Sequence, residues 1–194
     1  MNDALILTHG AGSNRDSGLL RALETAIESA WPGLRVERVN LAFRERKSGG
    51  PPTPAGAALD RAGLRADVER RRQEGAKRVF LGGVSYGGRQ ASMLASEEPD
   101  LVDGLLLLSY PLHPPGNPNK PRTAHLPALR TPALFVHGDR DPFGTLEEMN
   151  AALGLVGSAR KRLVEAAKAG HDLGGGKGAL PALIASAFTE FFGS

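Results

Sequence analysis

The sequence predicts an α/β fold, a single parallel sheet with helices packed on both faces. Three observations carry that expectation. Short apolar runs alternate with amphipathic stretches along all 194 residues. The connections between them are short, which suits strand-helix-strand crossovers. One run, 104–109, is apolar almost without a break, as a strand buried on both faces must be.

The first strand is read at 4–8 and closes in His9-Gly10-Ala11-Gly12. A helix follows over 17–30, where Leu19, Leu20, Leu23, Ile27 and Trp31 share one helical face and Pro32-Gly33 stops it. The second strand is read at 35–43, then a loop rich in Gly and Pro at 48–56, then a helix over 58–74 ending at Gly75. The third strand, 78–84, runs through Ser85 directly into a helix over 87–97. Strands at 104–109, 133–136 and 161–166 complete the sheet. Thr145 with Glu148 has the form of a capping box and opens a helix over 145–155. The last helix carries Leu180, Leu183, Ile184, Ala187, Phe188 and Phe191 on one face. The longest irregular stretch, 113–128, is proline-rich and reads as an ordered loop over a site. No repeat or linker divides the chain, so residues 1–194 form one domain.

Composition narrows the functional classes. Lys plus Arg number 24 against 21 Asp plus Glu, an excess of three that supports no nucleic-acid partner. Arg70-Arg71-Arg72 reads as a solvated helix face, and the scarce aromatics offer no base-stacking platform. There is no Cys, which removes thiolate catalysis and cysteine-ligated metal. No apolar run approaches the roughly 20 residues of a membrane helix, and Met1-Asn2-Asp3 lacks the basic start of a signal peptide. The expectation is a cytoplasmic protein with no membrane or nucleic-acid partner.

In a parallel sheet, ligand sites lie at the carboxyl ends of strands. The third strand ends in Gly83-Val84-Ser85-Tyr86-Gly87, a Gly-x-Ser-x-Gly between strand and helix. A sharp turn there lifts the hydroxyl clear of the backbone, and the helix start offers unpaired N–H groups. In a chain of 25 glycines a chance match is the competing explanation, and the strand-to-helix context weighs against it. The fifth strand ends in His137-Gly138-Asp139-Arg140-Asp141, which offers two carboxylates able to orient a histidine. Either could also be an ordinary turn residue. The sixth strand leads to Gly170-His171-Asp172, where His171 can take and return a proton. The order Ser, Asp, His along the chain is the one Gly-x-Ser-x-Gly hydrolases use. After the first strand, a turn of small residues lets the Ala11 N–H join that of Tyr86 as an oxyanion hole. Gly10-x-Gly12 is not a dinucleotide loop, since Arg15 stands where a third glycine belongs.

Taken together, these four stations resemble the α/β-hydrolase superfamily over nearly the whole chain, and in detail its small, lidless, dienelactone-hydrolase-like branch. His9-Gly10-Ala11-Gly12, Tyr110-Pro111-Leu112-His113-Pro114-Pro115-Gly116 and Arg122-Thr123-x-His125-Leu126 further resemble a little-characterised group within that branch. The resemblance implies six parallel strands in order 2-1-3-4-5-6, without the two antiparallel strands that open larger members. It implies no cap domain, only residues 113–128, and an open site. It also favours Asp141 over Asp139 as the acid, two residues beyond His-Gly.

The function expected is hydrolysis of a carboxylic ester or thioester through an acyl-enzyme on Ser85, with His171 and Asp141 completing a triad. The substrate is a small acyl compound, and neither metal nor cofactor is implied. Arg44, Arg46, Arg89 and His125 are candidates for the site entrance, where they would favour an acidic substrate; surface arginines and a structural loop histidine are the competing reading. Acyl transfer, or a non-catalytic interaction scaffold on the same fold, are the alternatives.

Overall fold

A computed structural model describes residues 2–45 and 52–193. Six strands form one parallel sheet in the order β2-β1-β3-β4-β5-β6: β1 Asp3–Thr8, β2 Leu34–Val39, β3 Val79–Val84, β4 Gly104–Leu108, β5 Ala133–Gly138 and β6 Lys161–Ala166. The helices are α1 Gly18–Ala30, α2 Ala42–Glu45, α3 Pro54–Gln73, α4 Tyr86–Glu97, α5 Leu146–Leu155 and α6 Leu180–Phe192, with 3₁₀ turns at Leu126–Ala128 and Leu173–Gly176.

The central strands feed two cores by simple alternation. Leu5, Leu7, Leu106, Leu108, Leu134 and Val136 face α1 and α6, where Leu20, Leu23, Ile27, Ile184 and Phe188 receive them. Ile6, Leu81, Leu105, Leu107 and Phe135 face the other way, toward Leu64, Val68, Leu94 and Met149 of α3, α4 and α5. Each fully buried side chain of this size contributes about 1.5–3 kcal/mol, which is why neither face can be polar. A strand order that reverses between β1 and β3 opens a crevice at their carboxyl ends, and both strands end there in glycine-rich turns.

Four local expectations are corrected. The second strand does not reach Phe43: the chain leaves the sheet after Val39, and Phe43 lies in the short helix α2, its N–H donated to Asp60 at 2.8 Å. The following helix begins at Pro54, four residues early, because Thr53 caps it by accepting the Gly56 N–H and a proline suits the first turn. The loop expected at 48–56 therefore ends inside α3, and residues 46–51 lie outside the described residues. On α6 the buried face is Pro181, Ile184, Ala185, Ala187, Phe188 and Phe192, with Leu180 and Phe191 packed at its margin, while Leu183 is 42% exposed. Phe192 occupies the space above Gly104, where a Cβ would fall 2.3 Å from the ring. Fourth, Arg70, Arg71 and Arg72 are not merely solvated: Arg70 and Arg71 both pair with Glu37 of β2, and Arg72 pairs with Asp103. Segment 113–128 is ordered, as expected, and reaches the cavity through Arg122: Tyr110 donates its hydroxyl to the Arg122 carbonyl, and the Arg122 N–H donates to the Leu112 carbonyl.

At the sheet edge, β2 is trimmed by its own neighbours. The Leu34 N–H donates to the Trp31 carbonyl, and the Val36 N–H donates to the Glu28 carboxylate at 3.0 Å. No helix among the described residues is long and apolar enough to cross a membrane.

Candidate active site

Ser85 sits between β3 and α4 with φ 52° and ψ −115°, a conformation that costs a non-glycine residue of order 1–3 kcal/mol. The surroundings hold it there. Its N–H donates to the Leu108 carbonyl at 2.8 Å, and the Arg89 N–H donates back to the Ser85 carbonyl at 2.9 Å. The flanking glycines are needed for close approach. A Cβ on Gly83 would lie 2.7 Å from the Gly87 and Gly88 backbone, and one on Gly87 would lie 2.5 Å from the His9 carbonyl oxygen. The turn can therefore seat against β1 only without those side chains.

His171 arrives on the connection between β6 and α6. That connection is laced to the one after β5: the Arg140 N–H donates to the Ala169 carbonyl, the Asp139 N–H to the Ala166 carbonyl, and the Ala169 N–H to the Asp139 carboxylate. The result is a continuous hydrogen-bonded chain. His171 Nε2 lies 2.8 Å from Ser85 Oγ, and His171 Nδ1 lies 2.7 Å from Asp141 Oδ2. The second Asp141 oxygen accepts the Phe143 N–H at 2.9 Å. Asp141 is buried, whereas the His171 side chain is 25% exposed. The carboxylate is thus fixed inside the protein and the imidazole is open to a substrate. Phe143 stacks on the His171 ring at 4.0 Å between centroids and 24° between planes. Of the two candidate carboxylates, Asp141 meets the histidine, and Asp139 is engaged in tying the loops together.

Gly10 and Ala11 pass directly beside the serine: a Cβ built on Gly10 would touch Ser85 Cβ at 3.5 Å. Their carbonyls are tethered on the outer side. His9 Nδ1–H donates to the Gly10 carbonyl at 2.8 Å while its Nε2 accepts the Leu41 N–H at 3.2 Å, so the ring is neutral in this arrangement. Burial, the largest cause, keeps its pKa below the ordinary value. Arg44 donates to the Ala11 carbonyl at 2.7 Å. Among the described residues, no turn, cap or loop bond uses the N–H of Ala11 or of Tyr86. Both are therefore available donors beside Ser85.

Several residues in this framework escaped the sequence reading. Asp60 of α3 is fully buried and accepts both the Phe43 N–H and the Tyr86 hydroxyl. A lone Asp inside an Arg-rich helix carries no local signal of that role. His137 is fully buried; its Nε2–H donates to the Gly144 carbonyl at 2.8 Å and its Nδ1 lies 3.8 Å from Asp141 Oδ2. Of the four entrance candidates, Arg89 lines the cavity, Arg44 braces Ala11, and Arg46 lies outside the described residues. His125 is bonded to Ser92 at 2.8 Å and does not line the cavity. The cavity itself encloses about 1050 Å³ and opens onto Ser85, His171 and Phe143, with Pro54, Ala57 and Met93 among its apolar lining.

This fold and site define a hydrolase-type architecture. The chain belongs to the α/β hydrolase domain family, whose pattern it matches over residues 1–178. Solved structures agree in fold. A protein designated TT1662 from Thermus thermophilus superposes with a TM-score of 0.75 at 22% identity, covering 99% of this chain and 88% of that one. Dienelactone hydrolase from Anabaena variabilis gives 0.76 at 22% identity, covering 98% and 85%. Est1E from Butyrivibrio proteoclasticus gives 0.74 at 15% identity, covering 100% and 89%.

Proposed function

We propose that the protein is a serine hydrolase that cleaves carboxylic esters or thioesters of small acyl compounds. The observation that carries this reading is the unbroken line Asp141, His171, Ser85, with links of 2.7 and 2.8 Å. Ser85 Oγ attacks the acyl carbon while its proton passes to His171 Nε2. The negative charge that develops on the carbonyl oxygen is met by the N–H groups of Ala11 and Tyr86, the second supported by the dipole of α4. His171 then protonates the leaving alcohol or thiol, and an acyl group remains on Ser85. A water molecule, deprotonated by His171, attacks that acyl carbon and releases the acid. Asp141 holds the Nδ1–H tautomer and offsets the charge on the imidazolium. The strained φ of Ser85 supports the reading too, since such strain gathers where a side chain must be presented.

The test is twofold. A fluorophosphonate probe should label the wild type and leave Ser85→Ala unmarked. On short-chain esters, Ser85→Ala and His171→Ala should each lose about 10⁴-fold or more in kcat. Labelling that survives Ser85→Ala overturns the nucleophile, and absence of turnover across short-chain esters and thioesters overturns the activity.

A further inference from the structure

One part of the cavity wall is built from hydrogen-bond donors. Arg89 lies four residues beyond Ser85 on α4, about 6 Å further along the helix axis. Gln90 follows it and is fully buried; its Oε1 accepts from Arg61 at 3.0 Å and its Nε2 has no partner. Arg122 comes in from segment 113–128. All four side chains line the cavity that holds Ser85. Arg61 meets Glu97 at 3.3 Å. Among the described residues, Arg89 and Arg122 form no ion pair with any carboxylate, and Arg89 Nε is buried without an acceptor. Residues 46–51 contain no Asp or Glu to supply one.

The neighbours register this uncompensated charge. Burial first, then Arg89, holds the Arg122 guanidinium below its ordinary value. Burial, then Arg89 and Arg61, pushes His125 down to about 4. No carboxylate is among the charges acting on either group. Partly desolvated cations without a counter-ion are costly in the empty protein, and an anion that binds between them relieves the cost.

We propose that the substrate carries, besides its ester or thioester, an anionic oxygen group (carboxylate or phosphate) that binds to Arg89 and Arg122 with the Gln90 amide as a further donor. The ester carbonyl then lies at Ser85 and the anion about one helical turn away. This rests on the reading of Ser85 as the site of attack, and arginine forks suit either anion.

The experiment is a calorimetric titration of full-length Ser85→Ala protein with monomethyl adipate, methyl 6-(phosphonooxy)hexanoate and neutral methyl heptanoate. At least one anionic ester should bind about tenfold or more tightly than the neutral one, the tighter anion identifying the group. That advantage should shrink with added salt. Adding Arg89→Met or Arg122→Met should each reduce it by about tenfold, and Arg89→Lys should keep part of it. Circular dichroism checks that each variant is folded; if Arg89→Met is not, the half-buried Arg122 carries the same comparison. Equal binding of anionic and neutral esters, or an advantage that persists without Arg89 and Arg122, overturns the proposal. Ester turnover by the wild type with no anion preference leaves the hydrolase reading standing and removes this one. An anion preference in binding, with no turnover and no fluorophosphonate labelling, overturns the hydrolase reading and with it the ester substrate, and leaves only an anion site at Arg89 and Arg122.

Discussion

The fully buried carboxylate of Asp60 accepts the hydroxyl of Tyr86 at 2.7 Å, tying α3 to the first residue of α4 immediately after Ser85. Burial, and then this carboxylate, pushes the Tyr86 phenol well above its ordinary pKa, so the hydroxyl remains a donor. Tyr86→Phe removes that donor and leaves one Asp60 oxygen unsatisfied. The expected loss is about 1–3 kcal/mol in urea unfolding. Because the Tyr86 backbone N–H is untouched, kcat should fall by less than about tenfold. An unchanged unfolding midpoint would show that the hydroxyl contributes nothing to Asp60.

Two glycines near the proposed oxyanion turn, Gly87 and Gly12, make opposite predictions. A Cβ on Gly87 would lie 2.5 Å from the His9 carbonyl oxygen and 2.7 Å from Thr8 Cγ2, whereas one on Gly12 has nothing within 4 Å. Gly87→Ala should therefore cost about 1–3 kcal/mol by forcing β1 and α4 apart. Gly12→Ala should stay within about 0.5 kcal/mol. Thermal unfolding of the pair measures both, and equal stability of the two variants would contradict the packing described.

Exchanging each candidate acid for its amide separates their roles. Asp141→Asn should lower kcat by roughly 10⁴-fold, since an amide no longer selects the productive His171 tautomer. Asp139→Asn keeps an oxygen for the Ala169 N–H and should stay within a few-fold of wild type. Comparable losses in the two variants would shift the acid away from Asp141.

Stability against pH should reveal the buried histidines. Burial first, then Arg89 and Arg61, depresses His125 to about 4, against an ordinary value of 6.5. The unfolded chain takes up a proton there below pH 6.5 and the folded chain does not. This contribution is therefore full above pH 6.5 and is lost as pH falls toward 4. His9, depressed by burial, acts in the same sense. His113 is raised, chiefly by its bond to the Pro114 carbonyl, so its contribution is full below pH 6.5 and lost as pH rises through its folded value. Between pH 7 and 5, the melting temperature of His125→Gln should fall less steeply than that of wild type, and that of His113→Gln more steeply. Parallel curves for all three proteins would contradict these assignments.

The alternation of strands and helices and the turns at the strand ends were legible because they rest on local pattern, whereas the strand order followed from the family resemblance and not from any one run of residues. An apolar run such as 104–109 has few structural options, and Gly83-Val84-Ser85-Tyr86-Gly87 states its own turn. What escaped depends on contacts distant in the chain. Phe43 continues the apolar pattern of β2, yet its backbone is captured by Asp60, 17 residues away. Phe192 was missed on α6 because the space it fills lies over Gly104, 88 positions earlier in the chain and visible only after folding. Arg122 reaches the cavity from an irregular segment, where no periodicity reports direction. Pro54 read as a loop signal although, behind Thr53, a proline opens a helix.

The Glu28 carboxylate on the Val36 N–H bears on how separate molecules of this protein meet. A bare edge strand is a template on which another chain can add a strand. Along β2, two successive outward donors, Leu34 and Val36, are already occupied from within, and Arg35, Glu37 and Arg38 add charge. At the opposite edge, β6 presents Lys161, Arg162 and Glu165. A parallel sheet of this kind offers intruding strands a shortened ladder at β2, where two donors are already taken, and a charged margin at β6, both of which work against growth into a continuous intermolecular sheet when crowded.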